Sequence, residues 1–215
     1  VSEFVSEVSV LGIGNVLWAD EGFGVRAVEA LHEGWEMPDG VTLVDGGTQG
    51  MLLLDRIESS RCVLVLDAVD FDLAPGELRL LRDRDVPNWA GTKMSLHQQS
   101  FQDLLAIADL HERFPPRLTL IGVQPQTMSD FGGSLTAPVR ARIAQTVELA
   151  VAELSAWGYA PQRRRAPPAE RLNDAALSLV RYEGGRPTED EACRQGDARF
   201  LGIRMAAAAA AEERR

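Results

Sequence analysis

Cys62-Val63-Leu64-Val65-Leu66-Asp67-Ala68-Val69-Asp70 decides the fold. A run this apolar at successive positions is a strand covered on both faces, and such strands belong to parallel sheets with helices above and below. Upstream, VSVLGIG (8–14) and VTLVD (41–45) read the same way. Between them, from about residue 22 to 33, Val25, Val28 and Leu31 recur at steps of three and four with Ala27 among them, the stripe of an amphipathic helix. GMLLLDRIES (50–59) is a second helix. Downstream, ELRLLR after Pro75-Gly76 alternates as an edge strand, and HQQSFQDLLAIADLH (97–111) returns to the helical period through Phe101, Leu104, Leu105 and Ala108. RLTLIGV (117–123) is another strand, and Val139, Ile143, Val147, Ala150 and Leu154 mark a last helix over 137–157 that stops at Gly158. The alternation predicts an α/β three-layer sandwich, a twisted, mostly parallel sheet of about five strands with helices on both faces.

The chain has 215 residues, a net charge of −10 and 45% apolar residues, which suits one domain with an appendage. Its one tight basic cluster, Arg163 to Arg165, sits beside prolines, so a nucleic-acid partner is excluded on charge. Cys62 and Cys193 are too far apart and too differently placed for a disulfide framework or a paired-cysteine zinc site, which points to a reducing compartment. Glu3 and Glu7 stand where a secretory leader carries basic residues, and no run approaches a membrane span, so the expectation is a cytoplasmic protein without membrane insertion. Residues 1–158 read as the α/β domain. Residues 159–215 read as a Pro/Arg-rich linker, APQRRRAPPAER, followed by a poorly ordered or loosely docked tail that includes six alanines, 206–211.

Gly12-Ile13-Gly14 closes the first strand, but Leu17 stands where the third glycine of a dinucleotide fingerprint would fall, so these glycines serve a sharp turn off the sheet. Asp20 and Glu21 follow in the loop at the strand's C-terminal end, the edge where open α/β sheets bind ligands. The bland alternative is a helix cap and a first-turn acid. Asp45, ahead of Gly46-Gly47-Thr48, and Asp67, ahead of Asp70, end two further strands at the same edge. A carboxylate closing a buried apolar strand costs free energy unless it is paired, hydrogen-bonded or bound to a cation, and three converging cases point to a site. His32 and His111 sit near helix C-termini, where an imidazole needs no special role, whereas His97 lies just ahead of a helix. Glu21, Asp67 and His97 together form a two-carboxylate, one-imidazole set that suits zinc, nickel or iron(II) and leaves coordination positions open. No HExxH or GxSxG pattern is present, and Cys62 reads as a core residue.

Taken in order, GIGNVLWADEGFGVR, VDGGTQGMLLL, LVLDAVD, APGELRLL, KMSLHQQSFQDLL and LTLIGVQP resemble the nickel-iron hydrogenase maturation endopeptidases from about Val8 to Gly158, and most of all the branch serving membrane-bound uptake hydrogenases. The resemblance implies a hydrolase that removes a C-terminal extension from the hydrogenase large-subunit precursor once nickel has been inserted. It implies Glu21, Asp67 and His97 as metal ligands, for nickel supplied by the substrate, with zinc or cadmium able to occupy the same donors. Asp20 and Asp45 are then the candidate catalytic carboxylates, and Gly46, Gly47 and Thr48 candidates for positioning the substrate peptide. The partner is the large-subunit precursor, with its maturation chaperone. Whether the enzyme is of aspartyl or metal-dependent type stays open, and the rival reading is a nickel-binding accessory protein that holds the client without cutting it.

Overall fold

The apolar run around Cys62 forms the central strand of a five-stranded sheet ordered β3-β1-β4-β6-β5. The computed structural model describes residues 6–88 and 96–185, with side chains over 7–86 and 101–185. The strands are β1 (Ser6–Ile13), β3 (Val41–Gly47), β4 (Ser60–Ala68), β5 (Leu78–Arg82) and β6 (Arg117–Val123). β1, β3, β4 and β6 run parallel; β5 takes the edge position that the alternating ELRLLR predicts, and pairs antiparallel with β6. Register brings Gly12 opposite both Leu66 and Asp45, and Asp67 opposite Gly122.

Each face carries its own apolar cluster. On one, α1 (Phe23–Gly34) and α6 (Ile143–Ala156) cover Val8, Val10, Leu64, Leu66, Ala68, Ile121 and Val123. On the other, α2 (Leu54–Ser59) and α4 (Leu96–Leu110) cover Leu11, Ile13, Val63, Val65, Leu118 and Leu120, with Val86 of the short α3 (Asp85–Asn88). Full burial of each such side chain contributes roughly 1.5–3 kcal/mol, so the two faces together drive assembly. The edge strand is blunted by charge: Arg82 donates through Nε and Nη2 to both carboxylate oxygens of Glu153 on α6, which also accepts from Thr119 Oγ1 of β6.

The expected helix over 137–157 divides into α5 (Ala137–Arg140) and α6, because Arg142 N bonds back to Val139 O, a tighter three-residue step that interrupts the ladder. After Gly158 the segment of linker composition, expected as poorly ordered or loosely docked, makes definite contacts over its described part. β7 (Gln162–Arg163) pairs antiparallel with β2 (Trp35–Glu36), and Arg164 Nε donates to the carbonyls of His32 and Trp35. Leu172 packs on the α1–α6 cluster, and α7 (Leu179–Gly184) presents Glu183 to Arg140 and Ser134. Prolines suit an extended strap and arginines supply many donors, so this composition docks through main-chain and polar contacts rather than an apolar stripe. The alanine tract and Cys193 lie outside the described residues.

Candidate active site

The strand order reverses at β1 and β4: the chain leaves β1 toward α1 on one face and returns to β3, while after β4 it crosses to β5 at the far edge and comes back to β6 through α4 on the other face. A crevice at such a switch point, beyond the strands' C-terminal ends, is where open α/β sheets take ligands. Glu21 reaches it on a 3-10 turn, Ala19–Gly22, that feeds α1. Two glycines bring this turn down onto the sheet. Gly14, at φ +136°, lies so close that a Cβ would fall 1.8 Å from Glu21 O, the carbonyl that accepts from Asn15 N at 3.1 Å. A Cβ at Gly24 would stand 2.0 Å from Leu66 O and 2.2 Å from Ile13 O, so only glycine lets α1 begin against the ends of both central strands.

Asp67 ends β4 and is 4% exposed, with Oδ1 accepting from Ala68 N at 2.7 Å. Side chains alternate along a strand, and Leu66 and Ala68 belong to the α1 face, so Asp67 continues the Val63–Val65 row toward α4. His97 is the second residue of α4; its side chain lies outside those described. Among the described residues no three His, Cys, Asp or Glu side chains form a group able to hold a metal.

Asp20, expected as a catalytic carboxylate, is engaged in hydrogen bonds on both oxygens. It is wholly buried: Oδ2 accepts from the amides of Gln126 and Thr127, Oδ1 from the amide of Thr136, and Thr136 Oγ1 lies 3.0 Å from both oxygens. Asp20 N in turn donates to Thr127 O. The carboxylate therefore fastens the loop after β6 to the turn that carries Glu21, and with both oxygens engaged and no solvent access it is poorly placed to take a proton.

Asp45 reaches the same sheet edge but the opposite face from Asp67. It shares the alternation of Val41 and Leu43, which pack on the α1 cluster, and its electrostatic neighbours are Glu29 and Arg26 of α1 and Asn173 of the strap. Burial pushes its carboxyl above the ordinary range, opposed in part by the Gly47 amide, and Oδ1 is buried with no hydrogen-bond partner among the described residues. The register slips between Gly12 and Ile13, so Gly46 is the extra residue of a bulge and sits close to Gly12 O. Gly47 and Thr48 then line a small recess with Ile13, Leu53, Phe101 and Leu104, on the α4 side. Exposed apolar groups flank the edge, Met51 and Leu52 beyond β3, and Trp18 stacked edge-on against Phe131 with centroids 5.3 Å apart.

Cys62, at the far end of β4, has its thiol pushed up by burial and is a core residue. Sequence reasoning passed over Arg26 and Thr136. Arg26 did leave a signal, since a cation in a helix's first turn opposes the dipole and needs another reason to be there.

The model of the family described as hydrogenase maturation protease matches residues 25–153. The hydrogenase expression/formation protein HoxM of Azotobacter vinelandii is 52% identical over 195 residues, 90% of this chain and 94% of its own. The hydrogenase 2 maturation protease of Escherichia coli is 39% identical over 78% of this chain and 99% of its own. Among solved structures, the E. coli hydrogenase maturating endopeptidase HybD aligns with a TM-score of 0.70 at 38% identity, over 74% of this chain and 98% of that one. The E. coli proteins are thus nearly used up by matches that leave a fifth to a quarter of this chain over, while HoxM continues further. With its fold, its switch-point carboxylates and these matches, the chain belongs to the hydrogenase maturation proteases, endopeptidases of the hydrolase class.

Proposed function

We propose that this endopeptidase removes the C-terminal extension of the nickel-iron hydrogenase large-subunit precursor after nickel insertion, reading the nickel that the client carries. The observation that supports this most is that the turn carrying Glu21 and the strand carrying Asp67 meet at one sheet edge, the edge from which α4, with His97 as its second residue, sets out. Two oxygen donors and one imidazole make an incomplete coordination set, suited to an ion that arrives with ligands of its own. An ion held by Glu21, Asp67 and His97 would supply Lewis-acid chemistry, aligning the scissile peptide and polarising its carbonyl or a water.

The chain's own residues supply the rest. One carboxylate of the Glu21–Asp67 pair accepts the proton released on attack. Asp20 holds the crevice wall in place, and Gly47 and Thr48, beside α4, receive the extended substrate backbone. The precursor, brought by its maturation chaperone, meets the enzyme in the cytoplasm; no helix among the described residues is long and apolar enough to cross a membrane.

The test compares the wild type with Glu21→Gln and Asp67→Asn on the precursor, following mass loss and co-purification together. Variants that still associate with the precursor but leave it uncut agree with the proposal. Variants that lose association, with no cleavage by the wild type either, would make the protein a client holder.

A further inference from the structure

The loops after β1, β3 and β6 all emerge at the C-terminal edge of the sheet, and they carry five of the eight large apolar side chains exposed among the described residues: Leu17, Trp18, Met51, Leu52 and Phe131. Apolar side chains scattered singly over a surface need no explanation, but their concentration at one edge marks a contact surface. Two of them form a pair. Trp18 and Phe131 face each other across an isolated antiparallel bridge, with Gly132 N donating to Leu17 O at 2.7 Å. In that pattern the directly opposed residues are the close, non-hydrogen-bonded kind, so both rings rise on one side. They meet edge-on with centroids 5.3 Å apart, Phe131 61% exposed and Trp18 36%.

The backbone beneath the pair is fixed on both loops. Asp20 accepts from the amides of Gln126 and Thr127 and from that of Thr136, so one buried carboxylate grips both ends of the segment whose middle is Phe131. Between those ends Gly133 N donates to Asp130 O, and Gly132, at φ +75°, completes the turn that presents the ring. On the other loop Trp18 N donates to Asn15 O, and Trp18 O accepts from Glu21 N. Ala19, next in the chain, sits at φ +46°, a left-handed conformation that a residue other than glycine keeps only where its surroundings over-determine it. Large rings held in water on a rigid base are suited to binding, because little ordering entropy is lost when a partner covers them.

We propose that Trp18 and Phe131 form a specificity site for the client precursor, taking an apolar side chain, aliphatic or aromatic, from the polypeptide next to the scissile bond. The inference rests on the endopeptidase reading for the identity of the client. What covers the pair follows from its tie to Glu21: a single 3-10 turn, on the order of 6 Å, separates Trp18 from the residue proposed to hold the metal. An extended client backbone advances roughly 3.3–3.6 Å per residue, so a side chain about two or three positions from the cut reaches the rings. Neither ring is charged, and the neighbouring Asp20 is wholly buried with both oxygens engaged. The occupant is therefore selected by apolar burial and ring packing rather than by ion pairing. Asp20 acts on this selection as a positioning residue, through the loop it holds.

The test uses the full chain with Phe131→Ala and Trp18→Ala, the conservative Phe131→Leu and Trp18→Phe, and Leu110→Ala at the exposed end of α4 as a control, each checked for folding by urea titration. Precursor affinity is measured alongside KM and kcat, and a photo-crosslinking residue placed at Phe131 is mapped by mass spectrometry. Each alanine variant is expected to raise the precursor Kd and KM about tenfold, as truncation of one interfacial aromatic does, with kcat within about twofold. The conservative variants should restore most of the loss, Leu110→Ala should match the wild type, and the crosslink should fall on the client beside the cut. Phe131, the more exposed ring, decides the outcome if Trp18→Ala disturbs its own turn. Wild-type Kd and KM in folded Phe131→Ala, an equal loss in Leu110→Ala, or a crosslink to a second copy of this chain overturns the proposal. If the wild type binds but never cuts, the endopeptidase reading fails while the ring dependence of affinity still decides this one.

Discussion

Asp20 and Glu21 are neighbours in sequence and use the same functional group for opposite purposes. Asp20 spends both oxygens on the loop after β6, whereas Glu21 has its backbone carbonyl pinned against Gly14 and Asn15 and its side chain is the proposed ligand. Asp20→Asn places an amide N–H₂ among amide donors, and is expected to lower unfolding stability by about 2–4 kcal/mol, read from urea titration, with faster hydrogen exchange over 126–136. Glu21→Gln, on a half-exposed turn, should stay within about 0.5 kcal/mol of the wild type yet leave the precursor uncut. Asp45 supplies a pH test. Burial raises its carboxyl, so the folded protein holds that proton more tightly than the unfolded one, and ionisation withdraws stability as pH rises through the folded value. Asp45→Asn should therefore be more stable than the wild type at neutral pH, with the advantage fading below the ordinary carboxyl value of 3.8. An advantage that grows toward low pH would contradict this reading.

At the scale of elements, the joint between β5, β6 and α6 is a single carboxylate. The Arg82 bond, with help from Thr119, holds Glu153 below its ordinary value of 4.5, against the opposing effect of its own burial. A carboxyl lowered in this way contributes stability above the unfolded value, and the contribution is lost as pH falls below about 4.5 through the folded value. Glu153→Gln should cost about 1–2 kcal/mol at pH 7, discounted because Arg82 is 57% exposed, and should make the acid-side slope of a stability–pH series shallower. The elements themselves were legible because each has a period: 117–123 is the predicted strand to the residue, and α1, α2 and α4 fall within a residue or two of their stripes once the 3-10 turn at Gly50–Leu53 is counted with α2. The strap was not legible. Arg164 docks through two main-chain carbonyls and Leu172 is its chief apolar anchor, and neither leaves a periodic trace.

For the whole molecule, the sheet edge was readable and the faces were not. Asp45 and Asp67 announced themselves by closing apolar strands, but VTLVD and CVLVLD are apolar at successive positions because both faces are covered, so nothing in them tells which side each carboxylate takes. The register settles it, sending Asp67 toward α4 and Asp45 toward α1 and the strap. The molecule thus parts its strand-end carboxylates across one sheet, Asp67 on the α4 side of the central strands and Asp45 on the side of α1 and the strap. Under the proposed function the crevice reads nickel on the client before cutting. Intact mass spectrometry of the purified precursor, nickel-loaded and nickel-free, incubated with the wild type and with His97→Ala, tests it most directly. Loss of the C-terminal extension from the nickel-loaded precursor alone, abolished by His97→Ala, is the predicted result, and equal cleavage of the nickel-free precursor would contradict the account.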